Sequence, residues 1–348
     1  VTRPRSGLGL VAVLMALALV AAACGGGGGG ESPAAGSGDS GGAASAGDSG
    51  GAASGEVNIS GSSTVEPVSV RVAELFESVN PDVVVNVDGP GTGDGFVLFC
   101  DGETDISDAS RAIKDSEAET CASNGIEYVE LNIGIDGLAV MTGPGNPLEC
   151  VNFADLYALT GPESTGFRNW KDAQALASEL GSSTEFPDAP LDIYGPGEES
   201  GTFDTFVEFV IDKPAEERGQ DGTTRPDYNA NADDNVIVQG VESSDTSLGW
   251  VGFAYAENAP NVKLLKVDGG DGNCVAPTAE TIASGEYPLS RPLFIYPNTA
   301  RVASNPAVKA YVDFYMADGL DKAVAEVGYV ALSDEAKAKT RAAWEAVS

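Results

Sequence analysis

The sequence predicts an α/β fold in two domains, with largely parallel sheets, behind an export leader and a disordered tether. Three observations carry this. From residue 56 onward, short apolar and β-branched runs alternate with segments of helical periodicity, the pattern of sheets layered with helices. The stretch from 56 to 348, about 290 residues, is longer than one core usually organises. The first 55 residues, by contrast, hold one short apolar run and then nothing that could form a core.

Residues 1–23 carry Arg3 and Arg5, then an apolar run from Leu8 to Ala23 ending "ALVAAAC". A charged start, apolar middle and small-residue end make a cleavable export signal. A spanning helix would need ~20 apolar residues; this run is shorter, and glycine follows it rather than a basic stop. Cys24 after three alanines resembles a bacterial lipobox, in which the cysteine is lipidated and becomes the mature N-terminus. Ala21 stands where a typical lipobox has Leu. After Cys24, residues 25–55 are almost wholly Gly, Ala, Ser, Asp and Glu, with a near-repeat, "GDSGGAASA" and "GDSGGAASG", and residues 24–55 read as one linker. Without an apolar face the segment is a flexible tether, reaching about 30 Å on random-chain scaling.

The elements follow in order. After the strand "VNIS", Val68, Val72, Leu75, Phe76 and Val79 share a helical face that Asn80-Pro81 ends. The strand "DVVVNVDG" comes next, then the apolar segment "DGLAVM", helices around "FADLYAL" and "WKDAQALASEL", and the strand "LDIYG". A helix with Phe203, Phe206, Val207, Val210 and Ile211 on one face follows, and a terminal helical region begins at Asn305.

Cys100, Cys121, Cys150 and Cys274 remain once Cys24 is set aside. In an exported chain an even number reads as disulfides, with three pairings open. Proximity favours Cys100 with Cys121, leaving Cys150 with Cys274. A zinc site lacks its parts, since there is no CxxC pair and no histidine. The charge balance, 53 acidic against 19 basic residues, excludes nucleic acid and anionic membrane surfaces as partners. It does not exclude an anionic ligand, because a buried site answers to the few groups that touch it.

Four segments place glycine and hydroxyl residues beside an expected helix start: "EVNISGSSTVEPV" from Glu56, "GPGTGDGFVLF" from Gly89, "DISDASRAIK" from Asp105 and "GEESGTFDTFVEF" from Gly197. Any one of them reads as an ordinary N-cap. Four together read as a cage for a small oxyanion, since helix N-termini supply unpaired N–H groups and a positive dipole end.

The ordered motifs "ISGSSTVEP", "GPGTGDGF", "TDISDASRAI", "ADLYALTGPESTGFRNW", "GPGEESGTFDTF" and "YPLSRPLFIYP" resemble the phosphate-binding receptors of high-affinity phosphate ABC transporters. The resemblance implies a two-lobed periplasmic-binding-protein fold of the second type, each lobe a mostly parallel sheet flanked by helices and joined by hinge strands. Lobe one would be 56–139 with 292–348, and lobe two 140–291. Carried over by position, the ligand set is Ser63, Thr64, Val65 through its amide, Thr92, Gly93, Ser110, Arg111, Ser200, Gly201 and Thr202. The best-known members have Asp after the serine matching Ser110, and Arg four residues before the SGT serine; here those positions hold Arg111 and Pro196. The carboxylate that takes the ligand's proton therefore has to lie elsewhere, with Glu198 the first candidate and Asp136 the second. Arg111 is expected to contact the anion, the alternative being a pairing with Asp105, Asp108 or Asp136.

"DYNANADDN" spaces Asp227, Asn229, Asn231 and Asp233 like half a calcium loop, but Ala232 and Val238 stand where Gly and Glu are required, so it reads as a loop and helix cap. The expected protein is a monomer without cofactor or metal, lipid-anchored on the extracytoplasmic face of the cell membrane, capturing inorganic phosphate for ABC permease subunits. The rivals are a receptor for another tetrahedral oxyanion, an anchored phosphatase-like enzyme, and an adhesin on the same scaffold. The lack of histidine and of free thiols counts against the enzyme.

Overall fold

A computed structural model describes residues 53–198 and 200–348; the leader, Cys24 and nearly all of the tether lie outside the described residues. The chain opens with β1 (Gly55–Gly61), α1 (Glu66–Glu77), β2 (Val83–Asp88), α2 (Thr92–Cys100), β3 (Ile106–Ala109), α3 (Asp115–Ser123) and the long β4 (Leu131–Thr142). There follow β5 (Cys150–Asn152), α4 (Phe153–Thr160), α5 (Gln174–Glu179), β6 (Ile193–Gly195) and α6 (Gly201–Phe206). α6 runs through a wide turn at Val207–Ile211, of i→i+5 type, into α7 (Asp212–Arg218). Then come β7 (Asn229–Ala230), α8 (Asp234–Glu242), β8 (Leu248–Gly252), α9 (Phe253–Ala256), β9 (Lys263–Leu264), β10 (Lys266–Asp268), β11 (Cys274–Val275) and α10 (Ala279–Ala283). The chain closes with β12 (Ser290–Pro297), α11 (Thr299–Ser304), α12 (Pro306–Phe314), α13 (Leu320–Glu326) and α14 (Asp334–Glu345).

Nine strands form one sheet in the order β2-β1-β3-β12-β4-β8-β6-β7, with β9 beside β4. β1 is parallel to β2 and β3, and β6 is parallel to β7 and β8. The two parallel halves meet through β4 and β12, which are antiparallel to each other. A register shift at Leu293/Phe294 bulges that ladder, which bends a strand and increases its twist. Two apolar cores flank the pair. One gathers Val57, Val72, Phe76 and Tyr311 with Leu131 and Leu293; the other gathers Leu138, Met141, Trp170, Phe206 and Trp250 with Leu289. β4 thus contributes to both cores, whereas β12 contributes Leu293 and Ile295 to the first and Leu289, just before it, belongs to the second.

The helical face read on α1 holds for Val68, Val72 and Phe76, all buried; Leu75 is only half-buried, Val79 lies past the last residue of α1 and is 65% exposed, and Ala73 is buried on the same face. In the "DYNANADDN" stretch, Asp233 caps α8 and Asp227 pairs with Arg225. Both disulfides favoured by spacing form, Cys100–Cys121 and Cys150–Cys274. The second ties β5 to β11 in a separate three-stranded sheet.

The bridges close loops of very different length, with sequence separations of 21 and 124. On the chain-entropy model, loops of this size are worth about 3 and about 5 kcal/mol. Replacing both cysteines of the 150–274 pair by Ser should therefore lower the urea midpoint more than the same change at 100–121, a ranking that equilibrium unfolding checks.

Asp108 on β3 is 1% exposed, and burial, reinforced by Glu66, raises its carboxyl to about 7. The folded chain then keeps a proton that the unfolded chain releases above its ordinary carboxylate value. This contribution is complete at low pH and is lost as pH rises toward about 7. Asp108→Asn should flatten that decline and gain stability relative to the parent at pH 8, as read from melts across pH 4 to 8.

Candidate functional site

Three loops at the strand ends of the first half converge because glycine lets them touch. Gly61 ends β1 at φ 154°, and a Cβ there would lie 2.0 Å from the Asp108 carbonyl oxygen, so no other residue fits. A Cβ on Gly95 of α2 would lie 2.4 Å from the Gly61 Cα. These close approaches bring "GSST", "GTGDG" and "DASR" together. Ser62 N–H donates to the Asp108 carbonyl, and Gly91 N–H to the Gly61 carbonyl. Thr92 Oγ1 accepts from Ser110 N–H and lies 3.1 Å from Ser110 Oγ.

The result is a cavity of about 510 Å3. Ser62, Ser63, Thr64, Thr92, Gly93 and Ser110 form one wall, with Arg111 and Lys114 at its edge and Arg291 in its depth. Asp204, Val207, Glu208 and Asp212, from α6 through the start of α7, form the facing wall. The walls touch where Ser63 Oγ donates to Asp204 Oδ2 at 2.6 Å, and behind the first wall Tyr329 Oη donates to the Thr64 carbonyl at 2.9 Å.

Arg291 lies directly opposite Asp136 in the β4–β12 ladder. Its Nε is 3.6 Å from Asp136 Oδ2, its Nη2 donates to Thr64 Oγ1 at 2.8 Å and to Thr205 Oγ1, and its Nη1 donates to Glu208. Thr205 Oγ1 in turn donates to Asp136 Oδ2 at 2.8 Å. Asp136 is fully buried, and burial raises its carboxyl above the ordinary range although Arg291 opposes this. The arginine that Asp136 orients is therefore Arg291 and not Arg111.

Of the expected ligand groups, Ser63, Thr64, Thr92, Gly93, Ser110 and Arg111 line this one cavity. The others stand differently. The Val65 N–H is directed at the carbonyl and hydroxyl of Ser62, and its side chain is buried in the first core. Ser200, Gly201 and Thr202 line a separate recess of about 340 Å3 with Asp234, Tyr255 and Tyr329. Ser200 is the N-cap of α6, and Gly201 backs directly onto Thr64, where a Cβ would lie 3.0 Å from the Thr64 Cα. Glu198 is exposed and lines neither space. The helix itself does reach the cavity, one and two turns later, through Asp204 and Glu208. The "DASR" segment is a strand end rather than a helix start, since α3 begins only at Asp115.

Arg111 pairs with neither Asp105, Asp108 nor Asp136. Its two Nη atoms donate to the two oxygens of Glu117 at 2.8 and 2.7 Å, and its guanidinium lies 5.6 Å from the Phe96 ring centre. Asp105 instead takes the Asn58 N–H and faces Arg301 at 3.5 Å. Sequence reasoning missed Arg291 and the acidic wall. Arg291 stood inside "YPLSRPLFIYP" with nothing local to mark its role, whereas Asp204, Glu208 and Asp212 recur every four residues beside the apolar face of the same helix, a signal that was legible.

A hydroxyl-rich loop cluster with a buried arginine, set between two α/β halves joined by paired strands, defines a solute-binding protein of the periplasmic type. Residues 46–318 match the family described as the PBP superfamily domain. The chain is 41% identical over 285 residues to protein SphX of Synechocystis sp., spanning 80% of this chain and 79% of that protein. It is 35% identical over 279 residues to the phosphate-binding protein PstS of Staphylococcus saprophyticus, spanning 80% and 81%. A crystal structure from Planctomyces limnophilus, described as a possible phosphate binding protein, superposes with a TM-score of 0.76 at 38% identity, covering 85% of this chain and 99% of that one. The chain belongs to the PBP superfamily, in the group that contains SphX and PstS.

Replacing Arg291 with Met would strand Asp136 without its counter-ion. Arg291→Met should cost roughly 3–5 kcal/mol at neutral pH. The loss should shrink in acid, where Asp136 takes a proton and no charge is left unpaired; urea unfolding at pH 5 and 8 reads the difference.

Proposed function

We propose that this protein is an extracytoplasmic receptor that captures inorganic phosphate in the cavity between its two lobes and delivers it to an ABC permease. The observation that carries the reading is the convergence of Ser62, Ser63, Thr64, Thr92 and Ser110 around a cavity with Arg291 at its base. Desolvating a small dianion is costly unless strong donors replace its water, and these loops offer hydroxyls, glycine-lined approach and a guanidinium fork. The names of its PstS relatives support the choice of ligand and of binding rather than turnover.

The facing carboxylates support phosphate over sulfate. Near neutral pH phosphate still carries a proton, which an acceptor can bind, whereas sulfate offers that acceptor only repulsion. Asp204 takes this role in our reading in place of Glu198, because Asp204 faces the hydroxyl wall and already accepts from Ser63. Ser63, Thr64, Thr92, Gly93, Ser110 and Arg111 are the proposed ligand groups, with Ser200–Thr202 supporting Thr64 from behind. Lobe one is 56–139 with 292–348 and lobe two is 140–291; anion binding draws them together. Export, lipidation of Cys24 and a monomeric state complete the proposal, motivated by the leader, the lipobox-like "AAAC" and the tether.

Calorimetry with inorganic phosphate should give one site per chain, with sulfate binding at least about a hundredfold weaker. Small-angle scattering should show a smaller radius of gyration at saturation. Failure to bind phosphate at millimolar concentration overturns the reading, and binding without compaction overturns closure alone.

A further inference from the structure

Arg291 reaches the cavity with most of its charge already paired. Nη2 is fixed by Thr64 and Thr205, both buried, and Nε faces the buried Asp136. Nη1 is held by Glu208, whose side chain is 59% exposed and belongs to the cavity wall. The first three partners are parts of the packed interior. Glu208 differs from them, because water can reach its carboxylate and solvate it if the pair opens. Nη1 is thus the arginine nitrogen that an anion in the cavity has to share with or take from Glu208, the solvent-reachable carboxylate that holds it.

The backbone is arranged for this contact. The wide turn at Val207–Ile211 interrupts the α-helical register just where Glu208 stands, and such turns concentrate at functional sites. Arg111, the other arginine at the cavity, is held differently. Glu117 grips both its Nη atoms, also accepts the Lys114 N–H, is only 19% exposed and does not line the cavity.

We propose that Glu208 is a resident counter-ion of Arg291 that the incoming oxyanion displaces. The inference rests on the oxyanion reading of the cavity. Binding then measures a difference, the pairing of Arg291 with the anion less its pairing with Glu208, so this one carboxylate sets the affinity of the cleft. When the anion leaves, Glu208 returns to Nη1 and the guanidinium is never left unpaired. The residue weakens capture and eases release.

The test is calorimetry with inorganic phosphate on the full chain and three variants, each checked for folding by circular dichroism. Glu208→Gln removes the competing charge, and Glu208→Asp keeps the charge but shortens its reach. Asp212→Asn removes a charge from the same wall without touching Arg291, so it reports the general field alone. Displacement predicts that Glu208→Gln tightens binding by about tenfold or more, mainly through slower dissociation. It also predicts that Glu208→Asp tightens binding, and that Asp212→Asn does so less than either. Weaker or unchanged binding in both Glu208 variants makes Glu208 a scaffold partner and overturns the proposal. So does equal tightening by Glu208→Gln and Asp212→Asn with no gain in Glu208→Asp, which is a field effect. If neither the parent nor any variant binds phosphate, the oxyanion reading falls first and takes this proposal with it.

Discussion

Where β4 passes from one core to the other, Asp136 opposes Arg291 of β12 across the ladder, and almost no water reaches them. Burying two charges costs more than their attraction returns unless further hydrogen bonds complete them. Here the completion comes from both sides: Thr64 from the loop after β1, and Thr205 from α6. The pair therefore needs both halves in position, and in return it holds α6 against the loop that begins the cavity. The bond from Ser63 to Asp204 follows from that alignment.

A chain with a formal net charge of −34 still brings cations to its cavity. Arg111, Lys114 and Arg291 all stand at one cavity. The distant field of the protein repels anions, while the near field is decided within a few ångströms by which donors remain available. That division reconciles an acidic surface with an anion site, and it makes the internal pairings of each arginine more informative than the overall balance.

Much of this was legible in the sequence, and the gaps have physical causes. Alternating strands and helices, the disulfide pairs and the clustering of the Gly-Ser-Thr loops followed from local pattern and export chemistry. Val79 was misread because periodicity does not say where a helix stops, and α1 ends two residues earlier. The SGT turn was read as facing the ligand, since a helix start offers N–H groups wherever it lies; its orientation depends on Gly201 packing against Thr64, a tertiary fact. Arg291 was overlooked for the same reason. Its role comes from a threonine 227 residues away, and within "LSRPLF" it looks like one residue of an ordinary strand.

The β4–β12 ladder is also a mechanical part. The halves are joined by a two-stranded ribbon that stays hydrogen-bonded through the junction, with residues 330–332 beside it reaching into the second core, so the connection is not a slack loop. Torsion concentrates where the ladder is already irregular, at Leu293/Phe294. Arg291 lies two residues from that soft point on the same strand. The side chain that grips charge and the irregular part of the ladder are thus one piece of backbone, two residues apart.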